Sequence, residues 1–256
     1  MDDLTRLIIS SARLKNIHNN KLELTAKESH YLNKVMRLKN SQEVFIVDGL
    51  GSIWKGKKKE NNFIQLVNFS NPDFFCNRKL PLIGLAIAIP KKGFEDILKM
   101  STEIGIDLIQ PISTHNQVKN LCKISPKKEE RWDHIINESV EQCERLWKPK
   151  ILKNLNISDW LASNREKDFI SISVTRNDYC PKIENWLDEL KIFDNKEIVI
   201  WNVIGPEGGW SLIEMQLFKK YQIDRVRLTE NILRTSTAAI YASSILNKWR
   251  NNKLTL

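Results

Sequence analysis

The sequence predicts an α/β protein: a mostly parallel sheet over residues 76–256, preceded by a small β-rich barrel over residues 1–75. Three observations carry this. From Leu80 onward, apolar runs of strand length alternate with stretches of helical period. Strands that alternate with helices pair in parallel and are covered on both faces. Before Leu80 the apolar runs are short, rich in Val, Ile and Phe, and separated by the turn signals Asp48-Gly49 and Asn61-Asn62.

The elements follow in order. Leu7–Ile9, Glu43–Val47 and Phe63–Phe69 read as strands, interrupted by a helix from about Ala26 to Arg37 with Tyr31, Val35 and Leu38 at near-helical spacing. Asn71–Lys79 reads as a linker. Leu82–Ile89 is a continuous apolar run, as a buried strand requires. A helix follows with Phe94, Ile97, Leu98, Ser101 and Ile104 on one face and Gly105 as its stop. Ile106–Ile112 is the next strand, and Pro126–Trp147 a long helix with Trp132, Ile135, Ile136, Val140, Cys143 and Leu146 inward. Phe169–Val174 and Glu197–Val203 are strands, with a short helix over Ile183–Leu190 between them. Ser211 and Glu214 have capping-box spacing and open a helix to Tyr221. Arg225–Leu228 is a last short strand and Ser236–Arg250 a final helix. No internal repeat is visible.

Composition narrows the function. The chain has 40 Lys+Arg against 31 Asp+Glu, a formal net charge of +9. Its apolar runs fall short of the ~20 residues that cross a bilayer. The amino terminus lacks a basic stretch followed by an apolar one. Four scattered cysteines (Cys76, Cys122, Cys143, Cys180) suit neither a disulfide framework nor a zinc site, and the four histidines never reach metal-ligand spacing. The expectation is a soluble, cytoplasmic, basic protein without metal. Residues 1–75 hold 12 Lys+Arg against 8 Asp+Glu, with a cluster at Lys55, Lys57, Lys58 and Lys59. Such a cluster neutralises phosphates, although taken alone it is better read as a charged hairpin that blunts an exposed strand edge.

Ligands of parallel sheets bind beyond the carboxyl ends of the strands. Two loops there stand out. Ile204-Gly-Pro-Glu-Gly-Gly-Trp210 holds three of nine glycines within five residues, directly after a buried strand. Glycine at this spacing lets backbone approach a ligand, and Pro206 stiffens the turn. The loop matches neither G-x-G-x-x-G nor G-x-x-x-x-G-K-[ST], and no lysine follows to meet a phosphate. Its bare backbone groups suit an uncharged edge such as adenine. The second loop, from Leu228 to Ala239, carries Arg234 just before a hydroxyl-rich helix start. Glu138, Glu141, Gln142 and Arg145 share one face of the long helix, as a cleft rim or a solvated ion-pair ladder would.

These segments resemble a known family. Ile204-Gly-Pro-Glu-Gly-Gly209, followed by Leu228-x-x-x-Ile232-Leu233-Arg234-x-x-Thr237-Ala238, resembles the carboxyl-terminal signature of SPOUT-class methyltransferases. More closely, it is similar to the ribosomal RNA small subunit methyltransferase E family, which makes N3-methyluridine in 16S ribosomal RNA. His30-Tyr-Leu-x-x-Val35-x-Arg37-Leu38 and Val44-x-x-x-Asp48-Gly49 resemble that family's PUA-like barrel. Thr102-Glu-Ile-Gly105 and Glu141-Gln-Cys-x-Arg145 resemble two further segments, so the resemblance spans nearly the whole chain.

The resemblance implies a deep trefoil knot at roughly residues 197–250, an exception to the rule that chains do not thread. It implies a homodimer, S-adenosylmethionine as cofactor, and 16S ribosomal RNA or the assembled small subunit as partner. It implies that Val174, Thr175, Ile204, Gly205, Pro206, Glu207, Gly208, Gly209, Leu228, Asn231, Ile232 and Leu233 hold the cofactor. Arg234 is the expected catalytic residue, with Arg145 or Glu141 completing the pocket from the long helix, within one copy or across the dimer. Arg37, Lys55, Lys57, Lys58 and Lys59 are expected to bind RNA. Thr229, Ser236, Met100 and Asn116 stand where family members commonly have Gly, Glu, Lys and Arg. Two other readings remain open here: a related enzyme that methylates a ribose 2′-hydroxyl, and a non-catalytic RNA-binding assembly factor.

Overall fold

A computed structural model describes residues 5–60, 62–118, 124–175, 179–191 and 198–254. It divides the chain into two compact units, one of residues 1–78 with 137–148, the other of 79–136 with 149–256.

The first unit is a six-stranded sheet with short helices. Its elements are β1 (Arg6–Ile8), α1 (Ser11–Leu14), β2 (Lys21–Glu23), α2 (Ala26–His30), β3 (Glu43–Val47), β4 (Ser52–Lys59), β5 (Phe63–Leu66) and β6 (Phe74–Phe75). The order is β1-β3-β4-β5-β2, with β6 on β4; only β1 and β3 run parallel. Leu7, Leu22, Val44, Ile46, Trp54, Ile64 and Leu66 form its core. The helix expected to Arg37 is α-helical only to His30 and continues as a π-helical turn over Tyr31–Val35. It ends because Arg37 has φ 52°, a left-handed conformation that no helix continues through. Charge concealed β4, since three of its last four residues are lysines.

The second unit holds β7 (Leu82–Ala88), α3 (Phe94–Ile104), β8 (Leu108–Ser113) and α4 (Pro126–Gln142). Then come β9 (Lys150–Ile151), β10 (Leu155–Asn156), α5 (Ile157–Asn164), β11 (Phe169–Ser173) and α6 (Ile183–Glu189). It closes with β12 (Val199–Ile204), α7 (Leu212–Lys220), β13 (Asp224–Val226) and α8 (Thr235–Leu254). All paired strands are parallel, in the order β10-β8-β7-β12-β11-β13 with β9 on β8. Every residue of β7 and β12 is buried, which explains their unbroken apolar runs. Helix α5 and the strands β9 and β10 have no counterpart in the sequence reading.

Helix α8 lies close because Ala239, Ala242 and Ser243 are small and buried, Ser243 facing Ser101 of α3. Its far end is fixed by a buried ion pair between Arg250 and Asp107, whose carboxylate also accepts the Ile83 amide at 3.0 Å. Arg250 further donates to the Gly105 carbonyl at 3.1 Å.

The long helix stops at Gln142, not Trp147, and its last turn belongs to the first unit. Glu144 takes φ 60°, and Arg6 donates to both the Glu144 carbonyl and its carboxylate at 2.7 Å. Among the described residues no helix is long and apolar enough to cross a membrane.

Candidate active site

Four parallel strands of the second unit end at one cavity of about 1050 Å³. Its wall comprises Pro90–Gly93 after β7, Ser173–Thr175 after β11, Ile204–Trp210 after β12 and Arg227–Ser236 after β13, with Asp96 and Ala238. A volume at the upper end of the usual pocket range accommodates a nucleoside-sized ligand.

The glycine loop owes its shape to its neighbours. Trp210 donates from its indole nitrogen to the Ser173 carbonyl at 2.9 Å and meets Phe218 edge-on at 5.0 Å. A Cβ on Gly205 would come within 2.9 Å of the Trp210 ring, so only glycine lets the chain pass there. Gly209 has φ +70° and donates its amide to the Pro206 carbonyl at 2.9 Å. The Glu207 carboxylate accepts the Lys91 amide at 2.9 Å, tying two walls together. Asn116 donates to the Gly209 carbonyl at 3.1 Å. The expected capping box is present: Ser211 Oγ accepts the Glu214 amide, and the buried Glu214 carboxylate accepts the amides of Ser211 and His115.

On the opposite wall, Thr229 donates its hydroxyl to the Asn231 carbonyl at 2.7 Å, and the Arg234 carbonyl accepts the Ala238 amide at 2.8 Å. Arg234 thus stands where α8 begins, with an exposed guanidinium facing the cavity. Val174, Thr175, Ile204–Gly209, Leu228 and Asn231–Leu233 all line the same space. Arg227, Lys91 and Lys92 also line it and escaped the sequence reading. Arg227 sits at the end of a three-residue strand, and its buried Nε lacks a hydrogen-bond partner.

Glu141 and Arg145 do not line this cavity within one chain; both belong to the first unit. Glu141 accepts the Ile8 amide at 2.8 Å, a donor that edge strand β1 leaves without a strand partner. Burial raises its carboxyl to about 7, helped by the charges of Glu138 and Glu28 and opposed by that hydrogen bond. Lys58, expected on an RNA surface, is 7% exposed and donates to the Leu38 carbonyl at 2.8 Å. Strand alternation turns Lys58 inward and leaves Lys55, Lys57 and Lys59 outside. Arg37 is exposed.

Comparison with known proteins places this arrangement. Residues 78–247 match the model of an RNA methyltransferase domain, and residues 24–65 that of an RNA methyltransferase PUA domain. Ribosomal RNA small subunit methyltransferase E of Synechocystis sp. is 31% identical over 228 residues, covering 88% of this chain and 72% of that protein. The chain belongs to the ribosomal RNA small subunit methyltransferase E family. The member from Buchnera aphidicola subsp. Schizaphis graminum is 28% identical, over 89% of this chain and 90% of its own. The Neisseria gonorrhoeae structure, bound to S-adenosyl methionine, shares the fold with a TM-score of 0.78. It is 21% identical, over 96% of this chain and 97% of that one. Family membership makes this chain an RNA methyltransferase with a PUA domain.

Proposed function

We propose that this chain methylates N3 of a uridine in 16S ribosomal RNA, using S-adenosylmethionine held in the strand-end cavity. One observation carries the reading: two separate loops, one bare of cations and one ending in Arg234, wall a single cavity. The names of the relatives, small subunit methyltransferase E, support the acceptor class. The residues fit the cofactor, because Gly205–Gly209 line the cavity without a cation and the space beside Gly209 is open for 4 Å. Val174, Thr175, Ile204–Gly209, Leu228 and Asn231–Leu233 would hold it. When bound, it supplies an electrophilic methyl group carried on a sulfonium.

The chain's own contribution is positioning and charge. Uridine N3 becomes a good nucleophile only after losing its imide proton, which leaves negative charge on the uracil carbonyl oxygens. Arg234, a permanent cation at the cavity, would donate to one of those oxygens and favour the anion. Lys55, Lys57, Lys59 and Arg37 would hold phosphates around the target. The reading includes a homodimer, which exposed Leu212, Ile213 and Ile232 support, and in which Glu141 and Arg145 could serve another copy's cavity. It also includes a trefoil knot at roughly residues 197–250, supported by the way the loops after β12 and β13 wall one cavity.

The test is mass spectrometry of nucleosides from small-subunit RNA, naked or assembled, after incubation with the protein and labelled cofactor. Labelled N3-methyluridine is expected. Label on a ribose, or none at all, overturns the proposal.

A further inference from the structure

The strand register of the first unit places on one face of its sheet a pattern that the cavity does not use. Paired residues point to the same face, and so do alternate residues along a strand. One face is the core, with Val44, Ile46, Trp54, Ile64 and Leu66 buried. The other carries an exposed column along β4: Lys55, Lys57 and Lys59. Beside it on β5, Phe63 pairs with Lys59 and Gln65 with Lys57. That edge continues through Val67, whose amide donates to the Lys55 carbonyl at 3.1 Å, to Phe74 of β6, opposite Ile53. Val67 is 67% exposed and Phe74 56%, two apolar side chains on the same face as the lysines.

We propose that this face grips an unpaired stretch of the RNA substrate, with a base stacked against Phe74 and phosphates along Lys55, Lys57 and Lys59. The inference rests on the RNA methyltransferase reading above and adds the kind of RNA held. Every base offers a flat face to an aromatic ring, but only an unpaired one can be splayed out to use it. Alternate residues on one strand stand about 7 Å apart, so the lysine column can follow successive phosphates of an extended chain. Three carboxylates stand near the column. Asp73 accepts the Lys55 amide at 2.7 Å, Glu23 lies 3.8 Å from Lys21, and Glu43 alone stands opposite a lysine of the column. Lys21 lies 4.5 Å above the Phe63 ring and covers it with a cation, so Phe74 is the ring left open on this face.

Fluorescence anisotropy with the full chain tests this, using a short unstructured RNA oligonucleotide and a fully paired hairpin of equal charge. The unstructured RNA is expected to bind about tenfold more tightly. Phe74→Ala should weaken it about tenfold without changing the salt dependence, since no charge is lost, and Phe74→Trp should restore it. Equal binding of the two RNAs, or unchanged binding by Phe74→Ala, overturns the inference. Labelled methyl transfer to ribosomal RNA is read in parallel. Transfer with no preference for unpaired RNA sinks the platform alone, whereas preference and Phe74 dependence without transfer sink the methyltransferase reading alone.

Discussion

The cavity of the second unit and the open sheet face of the first are built from opposite materials. The cavity is walled by loops at strand ends, where backbone groups, one indole and the arginines Arg227 and Arg234 stand together. The sheet face is made of side chains alone, ordered by strand register. A loop site depends on the few groups that pin its loops and tolerates little change there. A face set by register is spread over many residues, and each of them contributes a little.

The largest effect should come from the pin under the cavity. Asp107→Ala leaves Arg250 buried without its charge partner and loosens α8, whose first turn lines the cavity. A loss of about 3–5 kcal/mol in urea unfolding is expected. A loss below ~1 kcal/mol would mean the pair contributes nothing there. Next, Arg234→Ala should cut single-turnover methyl transfer at least ~100-fold while calorimetry shows nearly unchanged cofactor affinity. Turnover like that of the unaltered protein would remove Arg234 from the chemistry.

Glu141 offers a pH test of how the end of the long helix sits on β1. Its carboxyl titrates near 7 in the folded chain against an ordinary 4.5, so the folded state holds the extra proton between those values. Stability from this group is therefore full below about pH 4.5 and is lost as pH rises through about 7. Glu141→Gln keeps a neutral acceptor for the Ile8 amide and should be more stable than the parent at pH 8, by ~2 kcal/mol. Identical melting curves from pH 4 to 8 would refute the assignment. The smallest effect separates the lysines: Lys57→Gln with Lys59→Gln should flatten the salt dependence of RNA binding by about two phosphate contacts. Lys58→Gln should leave that slope alone and lower stability, because its ammonium serves the Leu38 carbonyl. Equal slopes for both variants would erase the distinction between the two faces of β4.

Most of the second unit was legible in the sequence because its signals are local. The capping box at Ser211, the stop at Gly105 and the solid apolar runs of β7 and β12 each declare themselves within a few residues. The cavity loops were legible for the same reason, since glycine and proline punctuate where backbone must be bare. Lys58 was not legible: four lysines in five residues look alike until strand pairing decides which of them faces the core. Arg227 was missed although it adjoins Leu228, because an arginine at a strand end carries no motif of its own. Asn116 was legible only as a departure from the family pattern, its bond to the Gly209 carbonyl joining segments far apart in the chain.

By itself, the sequence determined where most of the helices and strands of the second unit lie, which loops stand out at its strand ends, and which family the chain belongs to. These rest on period, turn chemistry and motif order, all written along one dimension. Only the tertiary structure decided that residues 137–148 close the first unit, that Glu141 serves an edge strand, and that β4 splits its lysines between core and solvent. Strand pairing and burial join residues far apart in the chain, and no local pattern records them.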